Sequence, residues 1–247
     1  MRVVLALPAY NEERGLPQVL ESFRRAVGGA GYEIGAVVVD DGSADGTAGV
    51  IGEWSARLPL RTMRHAANRG LGETIRDALR LAAETAAPDD IVVTMDADNT
   101  HPPELILQMI PHIRAGYDVV IASRYRRGAG VVGLSGFRHL MSYGARLLYQ
   151  ILFPIRGVRD YTCGFRAYRA GILVEALKRY GDGLVTERGF ASMAEILLKL
   201  ARLGARMCET PMVLRYDLKG GASKMNVPRT VLKTLALMAR LRFSPRA

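Results

Sequence analysis

The feature that most constrains the fold of this chain is an alternation. Short apolar, β-branched runs are separated by amphipathic stretches through the whole first half. Runs at residues 2–7, 34–39, 60–64, 91–95 and 119–122 have the length and composition of strands, and stretches at 15–27, 45–57, 71–86 and 103–115 carry apolar residues at helical spacing. Strands alternating with helices at this interval build a parallel sheet with crossover helices. Pro102 and Pro103 stand at the mouth and first turn of the fourth helix, where a missing N–H costs nothing. The expectation is an α/β fold with a mostly parallel sheet flanked by helices. Ligands of such open sheets bind beyond the carboxyl ends of the strands, and the polar motifs of this chain do follow its strands.

The first motif, Leu7-Pro8-Ala9-Tyr10-Asn11-Glu12-Glu13, closes the first strand. Pro8 fixes a turn, Tyr10 offers a flat face for stacking, and Glu12 is an acceptor. The second, Val39-Asp40-Asp41-Gly42-Ser43, closes the second strand. Two adjacent carboxylates there need donors or a cation, since burying them unpaired is costly. Ribose hydroxyls or a base edge would supply donors, while Ser43 or Asp45 caps the following helix. The third, Met95-Asp96-Ala97-Asp98-Asn99-Thr100-His101, follows the most apolar strand. Residues i and i+2 of an extended chain point the same way, so Asp96 and Asp98 can converge on one divalent cation. An all-oxygen ligand set favours Mg²⁺ or Mn²⁺.

The second half is less regular. Residues 137–153 and 190–203 have helical apolar spacing, residues 205–214 read as a strand, and residues 227–242 as a final helix with basic residues interspersed. Residues 1–225 are expected to form one domain. Residues 226–247 are expected to be a C-terminal amphipathic helix and tail, part of that domain or packed on it.

The three motifs, in this order and spacing, resemble the inverting family-2 glycosyltransferases of the Rossmann-like GT-A fold. Within them they are most similar to the enzymes acting on polyprenyl phosphates, the dolichol-phosphate mannose synthases included. The similarity continues through Ser123-Arg124-Tyr125, the segment from Asp160 to Arg166, Gly189-Phe190 with Glu195, and Ser223-Lys224. The resemblance implies a metal-dependent inverting transfer of a hexose from a nucleotide-sugar donor to a polyprenyl or dolichyl phosphate, with mannose from GDP-mannose as the foremost expectation. It implies that Pro8, Tyr10, Glu12, Val39 and Asp41 line the nucleotide pocket, and that Asp96, Ala97 and Asp98 carry the metal and the diphosphate. Arg124 then lies near the phosphates, Arg138 and Ser142 near the acceptor phosphate, and Lys224 in a loop closing over the diphosphate. Two positions depart from the pattern. Thr100 stands where the synthases carry a glutamine ligand, so water would complete the metal shell. The closing loop is displaced by one residue, which leaves Arg215 or Lys219 as its second basic residue.

The residues with catalytic parts on this reading are Asp98, Arg124, Arg138, Asp160 and Lys224. A departing nucleoside diphosphate gathers negative charge, which a cation, Arg124 and Lys224 would stabilise. A lipid phosphate is already ionised and needs no base, only cations to bring it close; Arg138, Arg146 and Arg166 are the candidates. A hydroxyl acceptor would need a general base, for which Asp160 is the reserve, unless it pairs with Arg159 or Arg166. The alternative is thus a soluble family-2 transferase taking a UDP- or GDP-sugar to a hydroxyl acceptor.

The net charge of +10 suits a polyanionic partner. Nucleic acid is not the expected one: zinc-finger spacing, an aromatic RNA-binding signature and a basic recognition helix are missing, and the aspartates would go unexplained. A nucleotidyltransferase would carry a glycine-rich, lysine-bearing signature where this chain has Pro8-Ala9-Tyr10-Asn11-Glu12-Glu13. No stretch reaches the roughly 20 apolar residues that span a bilayer, and the apolar start is too short for a signal peptide core. The expectation is a cytoplasmic protein associated with the cytoplasmic face of the membrane. Contact would be peripheral, through basic amphipathic helices at 137–153 and 227–243, although either helix could instead pack its apolar face on the sheet. Cys163 and Cys208 read as reduced thiols, and His65, His101, His112 and His139 as structural or surface residues.

Overall fold

The computed structural model describes residues 1–133, 136–218 and 235–240, the side chains of 137–140 and 218 excepted. The strands are β1 (Arg2–Ala9), β2 (Glu33–Asp40), β3 (Leu60–Arg64), β4 (Ile91–Thr94), β5 (Val119–Ser123), β6 (Gly130–Val132), β7 (Arg166–Arg169), β8 (Met207–Pro211) and β9 (Val213–Arg215). The helices are α1 (Gly15–Phe23), α2 (Thr47–Ser55), α3 (Leu71–Thr85), α4 (Ile106–Arg114), α5 (Gly136–Leu152), α6 (Ala170–Tyr180) and α7 (Ser192–Arg202). Seven strands form one sheet in the order β3-β2-β1-β4-β7-β5-β8, and β6 pairs with β9 in a small second sheet.

The five strands expected from apolar runs all form, within a residue or two of their expected ends. They are parallel, and only β7 runs against its neighbours β4 and β5. Helices cover both faces of the sheet, so its central strands are buried on either side: Val3 to Leu7 and Ile91 to Val93 are at most 1% exposed. That is why these runs read as continuously apolar and do not alternate.

β7 was not expected, and its residues explain why. Arg166-Ala167-Tyr168-Arg169 begins and ends on arginine, yet lies between two apolar strands. Arg166 is wholly buried, donating from Nη1 to the Met193 carbonyl at 2.7 Å and from Nη2 to the Tyr161 carbonyl at 2.9 Å. The single strand expected over 205–214 is two, β8 and β9, with Met212 between them donating its N–H to the Ser123 carbonyl.

Register aligns the ends. Ala9 lies opposite Asp40 and Ala6 opposite Thr94, so the three acidic motifs leave the sheet along one edge.

Candidate active site

The first two motifs interlock. Asn11 N–H donates to Ser43 Oγ at 2.9 Å, Glu12 N–H to Thr47 Oγ1 at 2.9 Å, and Glu13 N–H to Asp45 Oδ2 at 3.2 Å. In return Ala44 N–H donates to Asn11 Oδ1 and Gly46 N–H to Glu13 Oε2. This clasp fixes Pro8, the exposed ring of Tyr10 and the half-buried Glu12 at the end of β1. Val39 is wholly buried, so its side chain belongs to the core and only its backbone borders the edge.

Asp40 and Asp41 are both buried, and the chain itself supplies their donors. Asp40 accepts Ser43 N–H at 2.9 Å and lies 3.3 Å from Arg64 Nε. Asp41 Oδ1 accepts Arg69 N–H at 2.8 Å and meets His65 Nδ1 at 2.7 Å, while Oδ2 accepts Gly70 N–H at 2.9 Å. His65 Nε2 continues to Asp77 Oδ2 at 3.2 Å. The need for a partner inferred from the sequence was real, but His65 and the backbone ahead of α3 meet it.

The segment after β4 is held from three sides. Asp96 N–H donates to His101 Nδ1 at 3.1 Å, and the His101 ring packs on Phe165 with centroids 5.3 Å apart. A ring nitrogen that accepts here must carry its proton on Nε2. Thr100 turns back on Asp98, its hydroxyl donating to Oδ1 at 2.7 Å and its N–H at 3.2 Å. Thr100 therefore orients Asp98 and does not present itself as a further ligand. From below, a Cβ on Gly15 would lie 2.4 Å from the Ala97 carbonyl oxygen, so only glycine lets α1 start this close. A Cβ on Gly164 would press to 3.4 Å from Asp96 Oδ1. The pair of hard oxygen donors at the end of β4 fits a small divalent cation. Protein ligands would be Asp96 and Asp98, the remainder coming from phosphate and water; no group of three or more His, Cys, Asp or Glu forms a closed metal cage among the described residues.

Arg124 follows β5 and is locked onto Asp160. Its Nε reaches Asp160 Oδ2 at 2.8 Å, its Nη2 reaches Oδ1 at 2.7 Å, and its own N–H donates to Oδ2 at 3.1 Å. Burial pushes the Asp160 carboxyl up, but the charge and hydrogen bonds of Arg124 outweigh it and hold the group below its ordinary range. Burial likewise acts against the guanidinium, and Asp160 raises it well above its usual value. Three expectations are corrected here. Asp160 pairs with Arg124, not with Arg159 or Arg166, and a wholly buried carboxylate with both oxygens engaged is not available as a general base. Arg166, spent on backbone carbonyls inside β7, is not available to an acceptor phosphate.

Next to this pair lies Tyr125, sharing a 2.5 Å hydrogen bond with Ser142 of α5. Arg146, one turn on, lies 4.7 Å over the Tyr125 ring and 5.2 Å from that of Tyr143, with Nε donating to Gln150 Oε1 at 3.3 Å. Arg215 N–H donates to the Thr100 carbonyl at 3.2 Å, while its side chain pairs with Asp217. Arg138 lies in α5, but its side chain, like all of Lys219 and Lys224, falls outside the described residues. His65 and His101, expected as structural or surface residues, are structural, but the aspartates that they hold were not foreseen. A histidine just after a strand or an Asp-x-Asp run is the only local sign of these contacts.

A mostly parallel sheet with acidic loops along one edge, an Asp-x-Asp segment after β4 and an anchored arginine after β5 make up the site. The model of glycosyl transferase family 2 matches residues 5–177, and the chain belongs to that family. It is 35% identical over 200 residues to the dolichol-phosphate mannosyltransferase of Pyrococcus furiosus, covering 81% of this chain and 53% of that protein. It is 32% identical over 231 residues to the undecaprenyl-phosphate mannosyltransferase of Micrococcus luteus, covering 92% and 88%. The chain thus spans about half the length of the Pyrococcus relative. The sheet and helices match the glucosyl-3-phosphoglycerate synthase of Mycobacterium tuberculosis in complex with UDP, at a TM-score of 0.65, 20% identity, and 99% and 81% coverage. That enzyme was also crystallised with Mn²⁺ and UDP (TM-score 0.61, 21% identity, 98% and 77% coverage). The fold is GT-A.

Proposed function

We propose that this protein transfers a hexosyl group from a nucleoside diphosphate sugar to a polyprenyl phosphate, with inversion, and that the donor is GDP-mannose. The observation that carries the reading is the character of the acceptor side. Arg146 is held by two tyrosine faces and a neutral glutamine, partners that carry no negative charge. Asp160, the carboxylate held by Arg124, is withdrawn into a buried ion pair. An arginine with uncharged partners beside a carboxylate that is tied up suits an acceptor that is already an anion, not a hydroxyl awaiting a base. The names of the Pyrococcus and Micrococcus relatives support a polyprenyl phosphate and mannose.

Tyr10 offers the base a ring face, and Glu12 and Asp41 accept from the nucleoside. Asp96 and Asp98 would hold a Mg²⁺ or Mn²⁺ ion, which when bound supplies charge stabilisation for the diphosphate. Arg124, made rigid by Asp160, would offer its unused N–H groups to the leaving phosphates at little cost in reorganisation. Arg146, with Arg138 on the same helix, draws the acceptor phosphate toward the anomeric carbon against the repulsion of a second anion. Attack by its oxygen breaks the bond to the diphosphate, and the proton inventory is unchanged. Lys224 would close over the leaving group. The exposed residues of α5 (Tyr143, Leu147 and Ile151) are the surface proposed to meet the membrane that holds the acceptor.

The test is nucleoside diphosphate release with Mg²⁺ or Mn²⁺ across GDP- and UDP-sugars, with and without undecaprenyl or dolichyl phosphate. Release should require lipid phosphate and GDP-mannose and vanish in Asp98→Ala. Turnover onto a soluble hydroxyl acceptor without lipid phosphate would refute the acceptor assignment, and dependence on a UDP-sugar would refute the donor.

A further inference from the structure

One charged side chain reaches the rim of this site from the far end of the chain. Residues 235–240 are helical, with Leu237 and Met238 buried and Leu235 46% exposed. Arg240 Nη2 donates to Thr186 Oγ1 at 2.8 Å, and the same nitrogen lies 3.0 Å from Glu187 Oε1 and 3.3 Å from Glu195 Oε1. Glu195, buried at the start of α7, gathers the turn from beneath. It accepts Thr186 N–H at 2.8 Å, the Thr186 hydroxyl at 2.6 Å, Glu187 N–H at 2.9 Å and Lys199 Nζ at 2.6 Å. Lys199 already neutralises Glu195, so the charge that Arg240 adds falls to Glu187.

The turn held in this way bridges two acidic strand ends. On one side the Arg188 carbonyl accepts Gly72 N–H at 3.1 Å, and a Cβ on Gly72 would stand 1.6 Å from the Glu187 carbonyl oxygen. The backbone just ahead of that contact, at Arg69 and Gly70, is what binds Asp41. On the other side the chain enters α7, where Met193 lies against Gly164, the residue that faces Asp96. Displacing the turn therefore disturbs the surroundings of both carboxylates.

We infer that Arg240 is a positioning residue for the transfer reaction: it pins the Thr186–Glu187 turn beside the donor site, so that reaction geometry depends on the C-terminal helical segment being seated. The inference rests on the glycosyl-transfer reading above. An ammonium lacks the fork that serves several acceptors at once, so lysine is only a partial substitute.

The experiment compares wild type, Arg240→Met, Arg240→Lys and Thr186→Val. It measures steady-state nucleoside diphosphate release, amide hydrogen exchange and thermal melting. In Arg240→Met, kcat should fall by about tenfold to a hundredfold, as misplacement on the scale of 1 Å does, and any rise in donor KM, through Asp41, should be smaller than that fall. Exchange should rise at 185–190 while the melting temperature holds, and Arg240→Lys should recover part of kcat. Unchanged kcat and unchanged exchange at 185–190 overturn the inference. Should Arg240→Met fail to fold, Thr186→Val decides, since it removes the nearest of the three acceptors and leaves the arginine: a smaller fall in kcat with faster exchange at 185–190 supports the pin, and wild-type behaviour in both overturns it. If wild type releases no nucleoside diphosphate with any donor, the underlying reading fails, while faster exchange at 185–190 in Arg240→Met would still show the pin.

Discussion

Thr100 shows how one hydroxyl can change its part without leaving the site. Its Oγ1 is committed to Asp98 Oδ1 at 2.7 Å, and its N–H to the same oxygen. Groups that orient a metal-binding carboxylate are usually worth about 10- to 100-fold in affinity or activity. Thr100→Val should therefore weaken Mn²⁺ binding by roughly 10- to 100-fold, whereas Thr100→Ser should stay within about twofold of wild type. Titration by isothermal calorimetry in the presence of nucleoside diphosphate checks this, and equal affinities for the valine and serine variants would count against it. His101 does related work on the backbone of Asp96. Neither part is legible in the residue alone, because both depend on a turn at Asn99, which has a φ of 62°.

At the scale of elements, α5 carries an exposed apolar stripe among the described residues. Ser142 and Arg146 look toward Tyr125, Tyr149 is buried, and Tyr143, Leu147 and Ile151 stand 49%, 41% and 75% exposed along a neighbouring stripe. Apolar side chains at i, i+4 and i+8 bordered by basic residues are the pattern of a helix lying in a lipid interface. No helix among the described residues is long and apolar enough to cross a membrane. Replacing Leu147 and Ile151 by Glu should leave the melting temperature within a few degrees, since neither contributes to the core. It should cut binding to anionic vesicles by at least about tenfold, given some 1.5–3 kcal/mol per buried aliphatic side chain. Cosedimentation at low salt measures this, and undiminished pelleting of the double variant would remove α5 from the interface. The apolar spacing of α5 was visible in the sequence, but which of its faces the sheet would cover was not.

The acid stability of the whole molecule follows from its buried ion pairs. Asp160 is held below its ordinary value of 3.8, and Glu195 below 4.5 because the hydrogen bonds of Lys199 and Thr186 outweigh burial. A depressed carboxyl contributes stability that is full above its unfolded value and is lost as pH falls through the folded one. Glu209 acts in the opposite sense, since burial pushes it up despite the amides of Arg159 and Asp160 that it accepts. Asp160→Asn leaves Arg124 buried without its counter-charge, which costs about 3–5 kcal/mol. The gap to wild type should be widest above about pH 4 and close as pH falls below 3.8. Urea denaturation at several pH values reads that gap, and a gap independent of pH would show that the pair contributes packing and not charge.

What the sequence determined by itself was everything written in local period and in the order of its motifs. Apolar runs ending in Pro8, Asp40 and Asp96 named the strands, the parallel sheet, the edge where the site lies and the family. What only the tertiary structure decided was partnership. Asp160 takes Arg124 from 36 residues away, Asp41 takes His65 and the backbone before α3, and Arg240 crosses 54 residues to Thr186. Arg166 and its strand were hidden because a buried arginine in a central strand is permitted only by two carbonyls that the rest of the fold brings to it. Periodicity reports which side of an element is buried, a property of neighbouring residues. The identity of a charge's partner is fixed by how elements pack, and the free energy that selects it belongs to pairs distant in the chain.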